Sequence, residues 1–168
     1  MEKHWTNEAI FYHIYPLGFC GAPKYAHDER ECQHRIKKLI DWIPHLVEMK
    51  VNAVYLGPVF ASYEHGYDTS DYRMIDMRLG NNEDFIAVCD ALHEAGIRIV
   101  LDGVFNHVGR AFWAFKDVQE KREGSPYKDW FHNINFHNRS PYDEPFSYEA
   151  WEGHDNLVKL NRRNEETV

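Results

Sequence analysis

A short run of β-branched and apolar residues, Ile97-Arg98-Ile99-Val100-Leu101, ends abruptly at Asp102, and Asn106 and His107 follow within the next loop. The run is too short and too β-branched to be a helix of its own, so it reads as a buried strand of a parallel sheet. In α/β proteins ligands gather outside the carboxyl ends of such strands. An acid, an amide and an imidazole placed there point to a site. The same residues also read as an Asp that caps a following helix and a His that fills a loop.

The chain upstream repeats this arrangement. Ala9 to Tyr15 is rich in strand formers and stops at Pro16, which suits a first strand. Ile36, Leu39, Ile40, Ile43 and Val47 recur at helical spacing, with a kink or a second helix expected near Pro44. Val51 to Leu56 reads as a second strand, closed by Gly57-Pro58. The connection from Val59 to Asn81 shows little periodicity and reads as a long functional loop. Asn82 is expected to cap a helix with a Phe85, Val88, Cys89 and Leu92 stripe, ended by Gly96. Strand, helix, strand, helix, strand implies a parallel sheet. After Gly109 a short helix with Phe112, Phe115 and Val118 on one side is expected, then an aromatic, polar and irregular stretch.

Charge and cysteine usage remove several classes. Lys and Arg number 19 against 27 Asp and Glu, a net charge of −8, so nothing favours nucleic acid. Cys20, Cys32 and Cys89 show no C-x-x-C spacing, so neither a disulfide framework nor a zinc site is indicated. His132 and His137 lie five apart with no Cys or Glu at ligand spacing, which is poor support for a metal module built on the eleven His. Met1 to Asn7 has no apolar signal region and no long apolar run follows, so a soluble, cytoplasmic chain without membrane contact is expected.

Five segments, taken together and in order, resemble the α-amylase family of retaining α-glucan hydrolases and transglycosidases. Phe11-Tyr12-His13-Ile14-Tyr15-Pro16 is similar to the family's first barrel strand, and Asn52 to Phe60 to its second. His65-Gly66-Tyr67-Asp68-Thr69-Ser70-Asp71-Tyr72 resembles the substrate-binding loop, and Asp102-Gly103-Val104-Phe105-Asn106-His107 matches the block D-x-x-x-N-H. Leu157-Val158-Lys159-Leu160-Asn161 resembles the short block near the end of the family's inserted domain.

The resemblance implies the N-terminal part of a (β/α)8 TIM barrel with an irregular insert after the third strand. Residues 1–109 would form three βα units and 110–168 the insert, stopping before the fourth strand. Tyr15, His65, Tyr67, Asp68, Asp102 and His107 would then be substrate-binding residues on the catalytic face. Tyr67 would stack under the sugar ring, His107 would bond a sugar hydroxyl, and Asp102 would pair with polar residues of later strands. Asn106 falls on a calcium-ligand position; no other cofactor is implied. Glu64 and Lys159, at their places in these blocks, point toward maltodextrin- and cyclodextrin-degrading members acting on α-1,4-linked glucan. The catalytic carboxylates themselves, a nucleophilic Asp in an Arg-x-Asp block and a Glu acid/base, are expected beyond Val168. A truncated chain, inactive alone, is the resulting expectation, with self-association or completion by another chain. The alternatives are a non-catalytic carbohydrate-binding remnant and one half of a split barrel.

Overall fold

Four residues, Phe11–Ile14, form β1, and Pro16–Phe19 follows as a single helical turn, α1, with Pro16 in the first turn where its missing N–H costs nothing. The computed structural model describes residues 4–167. They form two compact units: one runs to Phe60 and resumes over Arg73–Gly103, the other takes Ala61–Tyr72 and the chain from Val104.

In the first unit α2 (Lys38–Glu48) leads to β2 (Ala53–Leu56). The chain then runs through β3 (Phe60–Ser62) and β4 (Thr69–Ile75), a two-stranded sheet that falls largely within Ala61–Tyr72 of the second unit. Then come α3 (Asn82–Glu94) and β5 (Arg98–Leu101). β1, β2 and β5 form one parallel sheet with β2 in the middle, Ile14 opposite Leu56 and Leu56 opposite Leu101. Helical crossovers between neighbouring parallel strands are what the alternating sequence pattern predicts.

Burial follows that order. Ala53, Val54 and Leu56 of the central strand are wholly buried, packed with Ile36, Leu39, Leu46, Val88 and Leu92 from the helical side. β5 departs from the expected buried strand. Ile97 is buried, but Leu101 is 37% exposed, because β5 has a neighbour on one side only among the described residues.

Three further expectations are corrected. α2 is one helix that runs through Pro44, although proline leaves the Ile40 carbonyl without its i+4 donor. Leu39 before it and Leu46 after it are both buried, so tertiary packing holds the helix together; Val47, expected on the apolar stripe, is exposed. The cap of α3 is Asn81. Its Oδ1 accepts from the Asp84 N–H at 2.8 Å and Asp84 Oδ2 accepts from the Asn81 N–H at 3.1 Å. Asn82 is the first helical residue and works elsewhere: it accepts from the Ile75 N–H and donates to the Arg73 carbonyl, closing the end of β4. Finally, the stretch from Val59 to Asn81 contains the β3–β4 ribbon instead of a structureless loop.

Two buried charges fasten this unit. Arg78 is fully buried; its Nε and Nη2 reach the two oxygens of Asp76 at 2.8 and 2.7 Å, and its Nη1 reaches the Lys24 carbonyl at 2.7 Å. Burial works to raise the Asp84 carboxyl, but hydrogen bonds from Lys37, His34 and the Asn81 backbone outweigh it and bring it down to about 2.

In the second unit β6 (His107–Gly109) precedes α4 (Trp113–Lys121), then β7 (Ala150–Trp151) and β8 (His154–Lys159). They form an antiparallel sheet in the order β6-β8-β7, with His107 opposite Lys159. The expected Phe115 and Val118 stripe of α4 is fully buried against Val108, Phe131, Phe146 and Val158. Phe112 lies just before that helix.

Candidate active-site wall

In the second unit the site grows from one carboxylate. Asp68 is 4% exposed, and its two oxygens accept from the backbone N–H groups of Tyr63, Glu64, His65 and Gly66 at 2.8–3.2 Å. Four donors on one acceptor pair curl residues 63–68 into a tight loop, with Gly66 in the left-handed region at φ 90°. Tyr67 emerges at the bend, 38% exposed, and its N–H donates to His65 Nδ1 at 3.2 Å.

His107 holds the same loop from β6. Its Nε2 donates to the Tyr67 carbonyl at 2.9 Å, which leaves Nδ1 as the acceptor facing the Asn106 amide. The Trp151 ring lies 5.5 Å from the imidazole. Both ring nitrogens therefore face protein groups in this structure, and the imidazole positions Tyr67. Strand β7, which ends in Trp151, carries the indole there.

Burial pushes the His107 imidazole below its ordinary value, aided by nearby His65 and opposed by the Tyr67 carbonyl, Asp68 and Glu152. The sign of the pH effect follows. The unfolded chain, with an ordinary value of about 6.5, takes up the proton more readily than the folded one. Stability contributed by neutral His107 is thus complete above about pH 6.5 and is lost as pH falls from there toward the lower folded value. The thermal unfolding midpoint should fall on acidification from about pH 7.5 to 5.5, and His107→Gln should flatten that dependence. An identical slope in the His107→Gln chain would sink the assignment.

In the first unit, Tyr15 and Asp102 stand at the carboxyl ends of β1 and β5. A Cβ on Gly18 would lie 3.0 Å from the Tyr15 ring and one on Gly57 3.4 Å from it, so two glycines make room for this tyrosine. The Asp102 N–H donates to the Leu56 carbonyl at 2.9 Å, prolonging the β2–β5 ladder by one bond. Tyr55 is pushed up by burial and by its hydrogen bond with the Asp102 carboxylate. The carboxylate is thereby oriented from the central strand.

Asn106 offers a single side-chain oxygen, and its backbone carbonyl already accepts from the Leu160 N–H. Calcium takes six to eight oxygens. The residues gathered here bring one such side-chain oxygen and do not make that shell.

A family model described as alpha amylase, catalytic domain, matches residues 25–163. The chain belongs to the alpha-amylase family. Neopullulanase 2 of Thermoactinomyces vulgaris is 42% identical over 142 residues, covering 76% of this chain and 24% of the relative. Intracellular maltogenic amylase of Bacillus subtilis is 33% identical, covering 96% of this chain and 29% of the relative. Among solved structures, cyclic alpha-maltosyl-(1→6)-maltose hydrolase from Arthrobacter globiformis superposes with a TM-score of 0.77 at 32% identity, over 97% of this chain and 40% of that one. This alpha-amylase-family chain thus spans roughly a quarter of the length of the curated relatives it matches. Its fold is the N-terminal portion of a (β/α)8 barrel. No helix among the described residues is long and apolar enough to cross a membrane.

Proposed function

We propose that these 168 residues carry the substrate-holding wall of a retaining α-glucan hydrolase of the maltodextrin- and cyclodextrin-degrading type, and that by themselves they bind glucan without cleaving it. The observation that carries the reading is the Tyr67 ring presented at the tip of a loop fixed by Asp68 and by His107. A flat, half-exposed aromatic face on a rigid support is suited to stacking on a pyranose ring. Within the first unit, Asp102 and Tyr15 at the carboxyl ends of the barrel strands are read as substrate-binding residues in their own right. His65 shapes the loop through its bond with the Tyr67 N–H.

Retention through a covalent glycosyl-enzyme needs two carboxyl groups about 5–5.5 Å apart. The Arg-x-Asp block in which the family carries its nucleophile occurs nowhere in this sequence. The substrate class is supported by relatives named cyclomaltodextrinase and maltogenic amylase, and a cytoplasmic setting by the one named intracellular. The outer edges of β1 and β5, with exposed Phe11 and Leu101, favour self-association or completion by further chain.

The test is a titration with maltoheptaose followed by amide NMR, alongside a turnover assay on a chromogenic maltoside. Shifts at the Gly66 and His107 amides, weakened about tenfold or more by Tyr67→Ala, and no turnover are expected. Turnover by the purified chain, free of contaminating hydrolase, would overturn the reading, as would the absence of any glucan binding.

A further inference from the structure

The second unit contains a half-open cavity of about 520 Å³ on which Tyr67 does not lie. Its walls include Tyr63, Glu64, Arg110, Lys116, Tyr142 and Asn156. Two of these are large aromatic rings that remain about half exposed, Tyr63 at 47% and Tyr142 at 49%. An exposed tyrosine alone means little; here one of them has a built support.

The Arg110 guanidinium lies 3.8 Å from the Tyr142 ring centroid. It is held in turn by Glu144 through two hydrogen bonds of 3.0 and 2.7 Å and by a bond to the Tyr148 hydroxyl. Glu144 also accepts from Gln119 and from the Ser140 hydroxyl, each at 2.9 Å. The network fixes one face of Tyr142 and leaves the ring half exposed, so little ordering is needed when a ligand arrives.

The same network says which ligand fits. Arg110 is committed to Glu144 and Tyr148, so the cavity does not offer the open guanidinium fork that an anion needs. The wall also carries Lys116, Glu64 and Asp68, and the Asp68 oxygens are already taken up by four backbone N–H groups. Aromatic faces bordered by an ammonium, a carboxylate and an amide suit a neutral, hydroxyl-rich ring, with stacking below and donors and acceptors at the rim. We propose that this cavity is a second saccharide site, taking a glucosyl unit on Tyr142 with Lys116, Asn156 and Glu64 at its hydroxyls. The inference rests on the α-glucan reading given above and adds a contact distinct from the Tyr67 ring, in a cavity walled in part by Tyr63, Glu64 and Asp68 of the loop that presents it.

Maltoheptaose titration of the 168-residue chain, followed by amide NMR, tests it, with Lys116 and Asn156 reporting the cavity and Gly66 and His107 the loop. Tyr142→Ala should weaken the binding read at Lys116 and Asn156 about tenfold or more. Tyr142→Phe, which keeps the ring, should leave it within about twofold. Tyr67→Ala should leave that binding in place while removing the loop response. If Gly66 and His107 shift but Lys116 and Asn156 do not, or if Tyr142→Ala changes nothing, the second site is overturned and the proposed function stands. If no amide responds at millimolar maltoheptaose, both fall. The spectrum of each variant also reports its fold, so a misfolded chain is recognised and Tyr142→Phe then decides by whether cavity binding persists.

Discussion

Gly109→Ala should abolish the folded form of the second unit. A Cβ built on Gly109 would stand 2.3 Å from the Asp68 carbonyl oxygen and 2.8 Å from its carbon. Both are backbone atoms, so no side-chain rotation relieves the clash. Either β6 or the Asp68 segment must move by about an ångström. Asp68 is tied to four backbone N–H groups and β6 to β8, so neither moves without breaking bonds. Overpacking in a well-packed site typically costs about 1–3 kcal/mol, and with these hydrogen bonds also at stake the loss should exceed about 3 kcal/mol. Trp113, Trp130 and Trp151 lie in this unit and Trp5 and Trp42 in the other, so urea unfolding followed by fluorescence, with Trp5 and Trp42 replaced by Phe, reads the second unit. A midpoint unchanged from the parent chain would show that the strand and loop are not held as described.

The second large effect concerns Arg78. Arg78→Met removes the cation from a pair in which neither member meets solvent and strands the Asp76 carboxylate. Breaking a buried pair from one side costs about 3–5 kcal/mol, because the remaining charge is uncompensated. The carbonyls of Lys24 and Pro23 lose their donor as well, so the segment leading away from α1 is released. Arg78→Lys should not restore stability, since a single ammonium cannot reproduce the two-point contact and also reach Lys24. Arg78→Met combined with Asp76→Leu should recover part of the loss, because with both charges removed no buried charge is left uncompensated. Chemical denaturation of the parent, Arg78→Met, Asp76→Leu and the double variant gives the cycle. A cost below about 1 kcal/mol for Arg78→Met, in the range of an exposed pair, would contradict the burial.

Arg78 also shows what a sequence conceals. An arginine between two short apolar stretches reads as surface, and its burial depends on a carboxylate two residues away and carbonyls more than fifty residues upstream. Asp68 is hidden for a similar reason: it acts on backbone groups, which have no letters. The parallel strands were legible because β-branched, aromatic and other apolar residues cluster in short runs that stop at Pro16, Gly57 and Asp102, and α3 because its stripe ends in a glycine at φ 74°. The β3–β4 ribbon was not, since Ser70, Asp71, Tyr72 and Arg73 show no apolar–polar alternation and each is at least partly exposed. Asn106 and His107 were legible as a motif. Their attachment to Leu160 and Tyr67 was not, because partners 40 to 54 positions away leave no local signal.

The pairing of β6 with β8 has a consequence for how the chain emerges from the ribosome. His107 lies opposite Lys159, so the strand that holds Tyr67 lacks its partner until some fifty further residues have been made. At about 5–20 residues per second that is a delay of roughly 3–10 s. During it the nascent chain carries an unpaired β edge at His107–Gly109, with Val108 not yet covered by Val158. The Tyr67 loop therefore gains its hold from β6 late in the making of these 168 residues, and until then the bare β6 edge is open to pairing with a neighbouring copy.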